Sequence, residues 1–177
     1  MACVFCYIAI RYVRKGGAVK SALCICILVA AGGVAVAATE KPTFNGTWQL
    51  DPVISRFNKE VPPPKSRTLK IELHEPKLHV EITTETKVGA EDEMFDLTTD
   101  GTDVNQTSSG KTYTASASWG GIKGTELVLT IKQQTPNGTV TTTRVMTLGT
   151  QGRMLTTVLT VENSSGEHEA DEFYVRH

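Results

Sequence analysis

From Glu40 onward, apolar and polar residues alternate with a period of two, the mark of strands with one face in a core and one in water. In TLKIEL, Leu69, Ile71 and Leu73 share one face, and Lys70 and Glu72 share the other. KLHVEITT sets Leu78, Val80 and Ile82 against His79 and Glu81. MFDL puts Phe95 and Leu97 together, and YTASASW aligns Tyr113, Ala115, Ala117 and Trp119. ELVLTIK repeats the device with Leu127, Leu129 and Ile131, and TVTTTRVMTL, MLTTVLTV and EFYV follow. Turn signals separate the runs: Glu75-Pro76, Asp100-Gly101, Ser109-Gly110, Gly120-Gly121, Pro136-Asn137-Gly138, Gln151-Gly152 and Ser165-Gly166. The spacing predicts a meander of about eight to ten antiparallel strands. A sheet of that size tends to close and so lose its edges, which predicts an all-β, single up-and-down barrel.

One stretch interrupts the pattern. DPVISRFNKEVPPPKS, residues 51–66, carries three consecutive prolines, which forbid regular pairing and favour an extended path. It reads as one short turn near Ile54 to Phe57, then a crossing segment in which Phe57 and Val61 tuck under the barrel.

The start of the chain follows different rules. Arg11, Arg14, Lys15 and Lys20 precede an uncharged apolar run, Ala22 to Val36, which ends in small residues at Ala35, Ala37 and Ala38. That order is an export signal, helical in its apolar part, with cleavage after Ala37 or Ala38. Residues 1–38 are therefore a signal peptide, and residues 39–177 form one barrel domain. An uncleaved anchor is the alternative, since Ser21 to Ala38 reaches the lower length of a spanning helix. The location that follows is exported, periplasmic or secreted, with membrane contact only through an uncleaved N-terminal segment.

Composition narrows the chemistry. All 4 cysteines, Cys3, Cys6, Cys24 and Cys26, fall in the signal, so the mature domain has no disulfide, thiolate metal site or cysteine nucleophile. The signal also holds Arg11, Arg14, Lys15 and Lys20 out of 18 basic residues and none of the 19 acids. The mature domain is thus acidic, which removes the electrostatic support for nucleic-acid or anionic-lipid binding. His74, His79, His168 and His177 suit surface positions, because a His74–His79 pair lacks a third ligand at a recognisable spacing. The acidic run AEDEMFD lacks the spacing of a calcium loop and reads as a solvated loop. No nucleophile elbow, phosphate loop or zinc motif is present, so no catalytic, metal or cofactor residues are assigned.

Gly46-Thr47-Trp48, after Phe44, opens the first strand. It resembles the Gly-x-Trp signature of the calycins: lipocalins, fatty-acid-binding proteins and their bacterial relatives. FNGTWQLDPVISRF is similar to the opening of small exported bacterial lipocalin-like proteins. Glycine lets the chain pass close to a neighbouring strand, and tryptophan plugs the closed end. The resemblance spans the mature chain as strand order and is specific at the first strand. It implies structural roles for Gly46 and Trp48, and for an arginine laid across the indole, with Arg176 the first candidate and Arg153 the second.

Intracellular fatty-acid-binding proteins hold a ligand carboxylate with an arginine on a late strand and an Arg-x-Tyr on the last. By that resemblance Arg144 and Tyr174 match the first arginine and the tyrosine, while Glu172 stands where the second arginine belongs. An acid there repels a carboxylate or pairs with Arg144. Arg144 is in phase with Thr142, Met146 and Leu148, so an inward face would bury its charge and require a partner. Tyr113, Trp119 and Tyr174 either line a cavity or pack in a plain core.

The candidate ligand residues are thus Arg144, Tyr174, Tyr113, Trp119 and Glu172. The function expected is non-covalent binding of a small, mainly apolar or amphipathic molecule inside the barrel of a monomer. A filled barrel that binds a protein partner or acts as an inhibitor is the alternative, and an enzyme at the barrel mouth comes third.

Overall fold

The computed structural model describes residues 41–177; the signal peptide expected at residues 1–38 lies outside them. Ten strands follow in chain order: β1 (Gly46–Leu50), β2 (Ser66–His74), β3 (Lys77–Glu85), β4 (Ala90–Thr98), β5 (Val104–Ser108), β6 (Lys111–Gly120), β7 (Glu126–Thr135), β8 (Gly138–Leu148), β9 (Met154–Asn163) and β10 (Gly166–Arg176). A single 3-10 turn, Thr150–Gly152, joins β8 to β9. No helix among the described residues is long and apolar enough to cross a membrane.

Every strand pairs antiparallel with its chain neighbours except at β4 and β5, and β1 also pairs with β10. The sheet therefore curls into a nearly closed up-and-down barrel. In the closing pair Trp48 stands opposite Arg176, and Leu50 opposite Tyr174. Short hairpin turns set this order. Between β5 and β6 the whole connection is Ser109-Gly110, with φ of 50° and 74°, the left-handed pair that matches strand twist.

The seam between β4 and β5 is held by side chains instead of a backbone ladder. Gln106 acts as a surrogate peptide: its Oε1 accepts the Asp96 amide at 3.0 Å, and its Nε2 donates to the Asp96 carbonyl. Ser108 Oγ accepts the Met94 amide at 2.9 Å, and Ser109 Oγ donates to the Asp92 carbonyl. Behind the seam Phe95 and Tyr113 meet edge to face with centroids 5.7 Å apart.

The alternating rows become the core. Leu69 and Ile71, Val80 and Ile82, Phe95 and Leu97, Ala115 and Ala117, Leu127 and Leu129, Met146 and Leu155 are all buried. Their polar neighbours along each strand face outward, so one register satisfies both water and core.

Two local readings differ from the sequence pattern. The turn after β1 covers Pro52 to Ile54, not Ile54 to Phe57. Asp51 moves it forward: its Oδ1 accepts the Val53 amide at 2.9 Å and its carbonyl accepts the Ser55 amide at 3.2 Å. The chain is extended again by Arg56, which pairs with Asp171. Phe57 then packs against the core. The second difference is the acidic run, which forms most of β4 and not a loop. Pairing with β3 satisfies its backbone, and alternation turns only Glu91, Glu93, Phe95 and Leu97 to one side.

Candidate functional site

Strand phase brings charges from three separate strands to one point inside the barrel. Arg144 on β8 lies in phase with buried Met146 and is 5% exposed. Glu172 on β10 lies in phase with Ala170 and Tyr174 and is fully enclosed. Arg67 enters from β2, in phase with Leu69 and Ile71. The Glu172 carboxylate accepts from all three neighbours. Its Oε2 receives Arg144 Nη1 at 2.7 Å and Tyr174 Oη at 2.7 Å, and its Oε1 receives Arg67 Nη1. Arg67 Nε in turn donates to Thr84 Oγ1 at 3.0 Å.

The ionisation of the cluster follows from burial and charge together. Burial alone lowers the pKa of Arg144, but the charges of Glu172 and Glu93 outweigh it and leave it raised. Burial, then the adjacent Glu172 charge, pushes the Tyr174 phenol above its ordinary range. Tyr174 thus stays a protonated donor to Glu172. Two arginines against one carboxylate leave this side of the barrel with an excess positive charge.

A cavity of about 290 Å³ opens above the cluster. Strands β7 to β9 give it a mixed wall, with aliphatic Ile131, Val140, Leu159 and Val161 beside polar Gln133 and Thr142. Strands β2 to β4 give it a polar one, Arg67, Thr84, Glu91 and Glu93, joined by Thr86 from the turn after β3. Val61, from the crossing segment, also lines it. Arg144 and Tyr113 line it as well, and each carries a buried polar atom without a partner, Arg144 Nε and Tyr113 Oη. Burial and then Glu93 raise the Tyr113 pKa, so its hydroxyl is a donor. Below this level the barrel is filled by the core.

The sequence candidates divide. Arg144, Glu172 and Tyr174 meet, and Tyr113 shares the cavity with Arg144. The Tyr174 hydroxyl is occupied by Glu172, and the residue does not line the cavity. Trp119 stands elsewhere, six positions along β6 from Tyr113. It packs on Phe44 with centroids 6.0 Å apart, under Lys41 Nζ at 4.7 Å. Arg67 and Glu93 escaped the sequence reading, though both carried a signal: each is a charge in phase with a buried apolar row. Among the described residues no group of three His, Cys, Asp or Glu is placed to hold a metal ion.

At the opposite end Trp48 is fully buried, with its indole N–H donated to the Phe44 carbonyl at 2.8 Å. The Arg176 guanidinium lies over the ring, 4.5 Å from its centroid. Gly46 sits beneath it with φ of 134°, and a Cβ there would meet Arg176 Nε at 3.6 Å. Arg153 touches this end through its backbone, accepting the Arg176 amide at 3.1 Å. This end closes a ten-stranded up-and-down barrel through the β1–β10 pair.

No family model matches the sequence, and no curated protein matches it. Among solved structures, the chain is similar to zebrafish ileal bile acid-binding protein complexed with cholic acid. That similarity has a TM-score of 0.45 and 13% identity, over 76% of this chain and 98% of the zebrafish chain. The bound cholic acid is a fact about the zebrafish protein.

Proposed function

We propose that the mature protein is an exported binding protein that holds a small amphipathic molecule, without chemistry, in the cavity at the barrel mouth. The observation that carries this is the two-sided lining. A wall from β7 to β9, in which four aliphatic side chains sit beside Gln133, Thr142 and Arg144, faces a polar wall around β2 to β4 across about 290 Å³. Such a lining suits a ligand with one apolar face and a few polar groups better than a plain hydrocarbon. The volume holds on the order of ten waters, so the ligand is compact. Each 100 Å² of apolar ligand surface removed from water contributes about 2.5 kcal/mol. Arg144 and Tyr113 supply hydrogen-bond donors for a polar end.

Native mass spectrometry of the purified mature protein is the direct test, with a co-purified small molecule as the expected result. A solvatochromic dye such as Nile red gives a second readout. Val161→Trp fills the cavity from its β7–β9 wall and should abolish dye binding while leaving the circular dichroism spectrum intact. If neither a co-purified molecule nor dye binding is found in the unmodified protein, the proposal fails.

A further inference from the structure

The charges around the cavity are matched within the barrel wall itself. Arg67 and Arg144 are tied to Glu172, and Glu91 pairs with Lys111. The arginine cluster keeps one positive charge, and Glu93 across the cavity supplies the negative one. Glu93 is half-buried, lines the same cavity, and its charge helps to raise the Arg144 pKa. Arg67, Arg144 and Lys111 thus balance Glu172, Glu93 and Glu91. Lys65 and Lys87 line a neighbouring groove on the rim and are open to water. Hydrogen bonding is less complete than charge. The Arg144 guanidinium donates through Nη1 to Glu172, while its Nε is buried with no acceptor among the described residues. Tyr113, 1% exposed, ends in a hydroxyl without a partner. An arginine can only donate, and burial keeps the Tyr113 phenol protonated.

Resting on the cavity reading above, we propose that the ligand is uncharged at its inner end and presents there an oxygen acceptor, a carbonyl or hydroxyl, to Arg144. The charge balance excludes the alternatives. A carboxylate would leave the wall with one negative charge in excess, and an ammonium group with one positive. Either excess is costly in enclosed surroundings. A carbonyl oxygen leaves the balance as it is and accepts from the Nε edge of the guanidinium. Tyr113 offers a second donor from β6. Placed this way, the apolar remainder of the ligand meets Leu159 and Val161.

Three probes of equal carbon number separate the possibilities: 2-octanone, octanoate and octylamine, each titrated by displacement of Nile red at pH 7. 2-Octanone is expected to bind tightest. Variants then shift the balance by one charge at a time. Glu93→Gln should raise octanoate affinity at least about tenfold and leave that of 2-octanone within about twofold. Arg67→Gln should do the same for octylamine. Arg144→Lys keeps the charge but loses the Nε edge, so 2-octanone affinity should fall about fivefold while octanoate stays weak. Glu93 is half-buried and outside the Glu172 shell, so Glu93→Gln keeps the test decisive if an arginine variant does not fold. If octanoate or octylamine binds tightest, the neutral-ligand assignment is wrong and the cavity reading stands. The same holds if Glu93→Gln leaves octanoate affinity unchanged, or if folded Arg144→Lys leaves that of 2-octanone unchanged. If none of the three displaces dye, or there is no dye binding to displace, both fall.

Discussion

Arg144 Nη1 lies 2.7 Å from Glu172 Oε2, across β9, with neither side chain open to water. The pair exists because β8 and β10 each turn one charged residue inward, and each charge is tolerable only beside the other. Arg67 and Tyr174 complete the shell.

Breaking this shell from one side should be severe. Glu172→Ala leaves two arginines facing each other without a counter-charge, and an orphaned buried charge costs about 3–5 kcal/mol. Chemical denaturation should show a loss of that size. The double variant Arg144→Met/Glu172→Leu should recover only part of it, because it removes the desolvation of those two ions but leaves Arg67, which keeps some contact with water, without its counter-charge. A double variant as unstable as the single one would mean that the destabilisation comes from packing and not from charge.

The opposite end depends on shape more than charge. Trp48→Ala should cost about 3–5 kcal/mol, as a large buried aromatic does. Arg176→Ala should cost about 0.5–1 kcal/mol, the range of an exposed cation–π contact. At Gly46, φ of 134° is strained for any other residue, so Gly46→Ala should cost about 1–3 kcal/mol. The ranking is checked by thermal melts, with Trp48 emission reporting whether Arg176→Ala wets the indole.

The β4–β5 seam makes a local prediction. Gln106→Ala removes both bonds to the Asp96 backbone. Amide exchange at Asp96 should then accelerate at least about tenfold, while the β7 and β8 amides, held by a full ladder, keep their protection. Unchanged Asp96 exchange would show that the side-chain bridge does not hold the seam.

On the outer wall His79 lies between two acids. Its Nδ1 is 2.6 Å from Asp96 and its Nε2 is 3.1 Å from Glu81. Asp96 is the larger cause of a raised pKa, with desolvation opposing it and Glu81 adding to the rise. Proton-detected titration should place His79 above the ordinary histidine value of about 6.5, and Asp96→Asn should bring it down. A raised folded pKa means the stabilisation is fully present below the unfolded value. It is lost as pH rises through the folded value. Melting temperature should therefore fall slightly across that window, and less so in Asp96→Asn.

Much of the barrel was legible from local pattern. Leu69-Ile71-Leu73 and Leu127-Leu129-Ile131 define strand faces without reference to any partner, because alternation is a property of the pleat. Ser109-Gly110 and its counterparts define chain reversals, and sequential reversals imply neighbouring strands. The placement of residues 90–98 was not legible in this way. Four acids within seven residues resemble a solvated loop until β3 is present to pair with them.

The candidate site shows the same division more sharply. The chain by itself determined that Arg144 shares a face with Met146, that Glu172 shares one with Tyr174, and that Arg67 shares one with Leu69. Only closure of the sheet through the β1–β10 pair decided that these three faces meet at one carboxylate, and that Trp119 lies away from them. The physical reason is range. The face of a strand is fixed within two residues, whereas the partners of Glu172 lie 28 and 105 positions away. Which charges end up facing one another depends on the curvature and closure of the whole barrel.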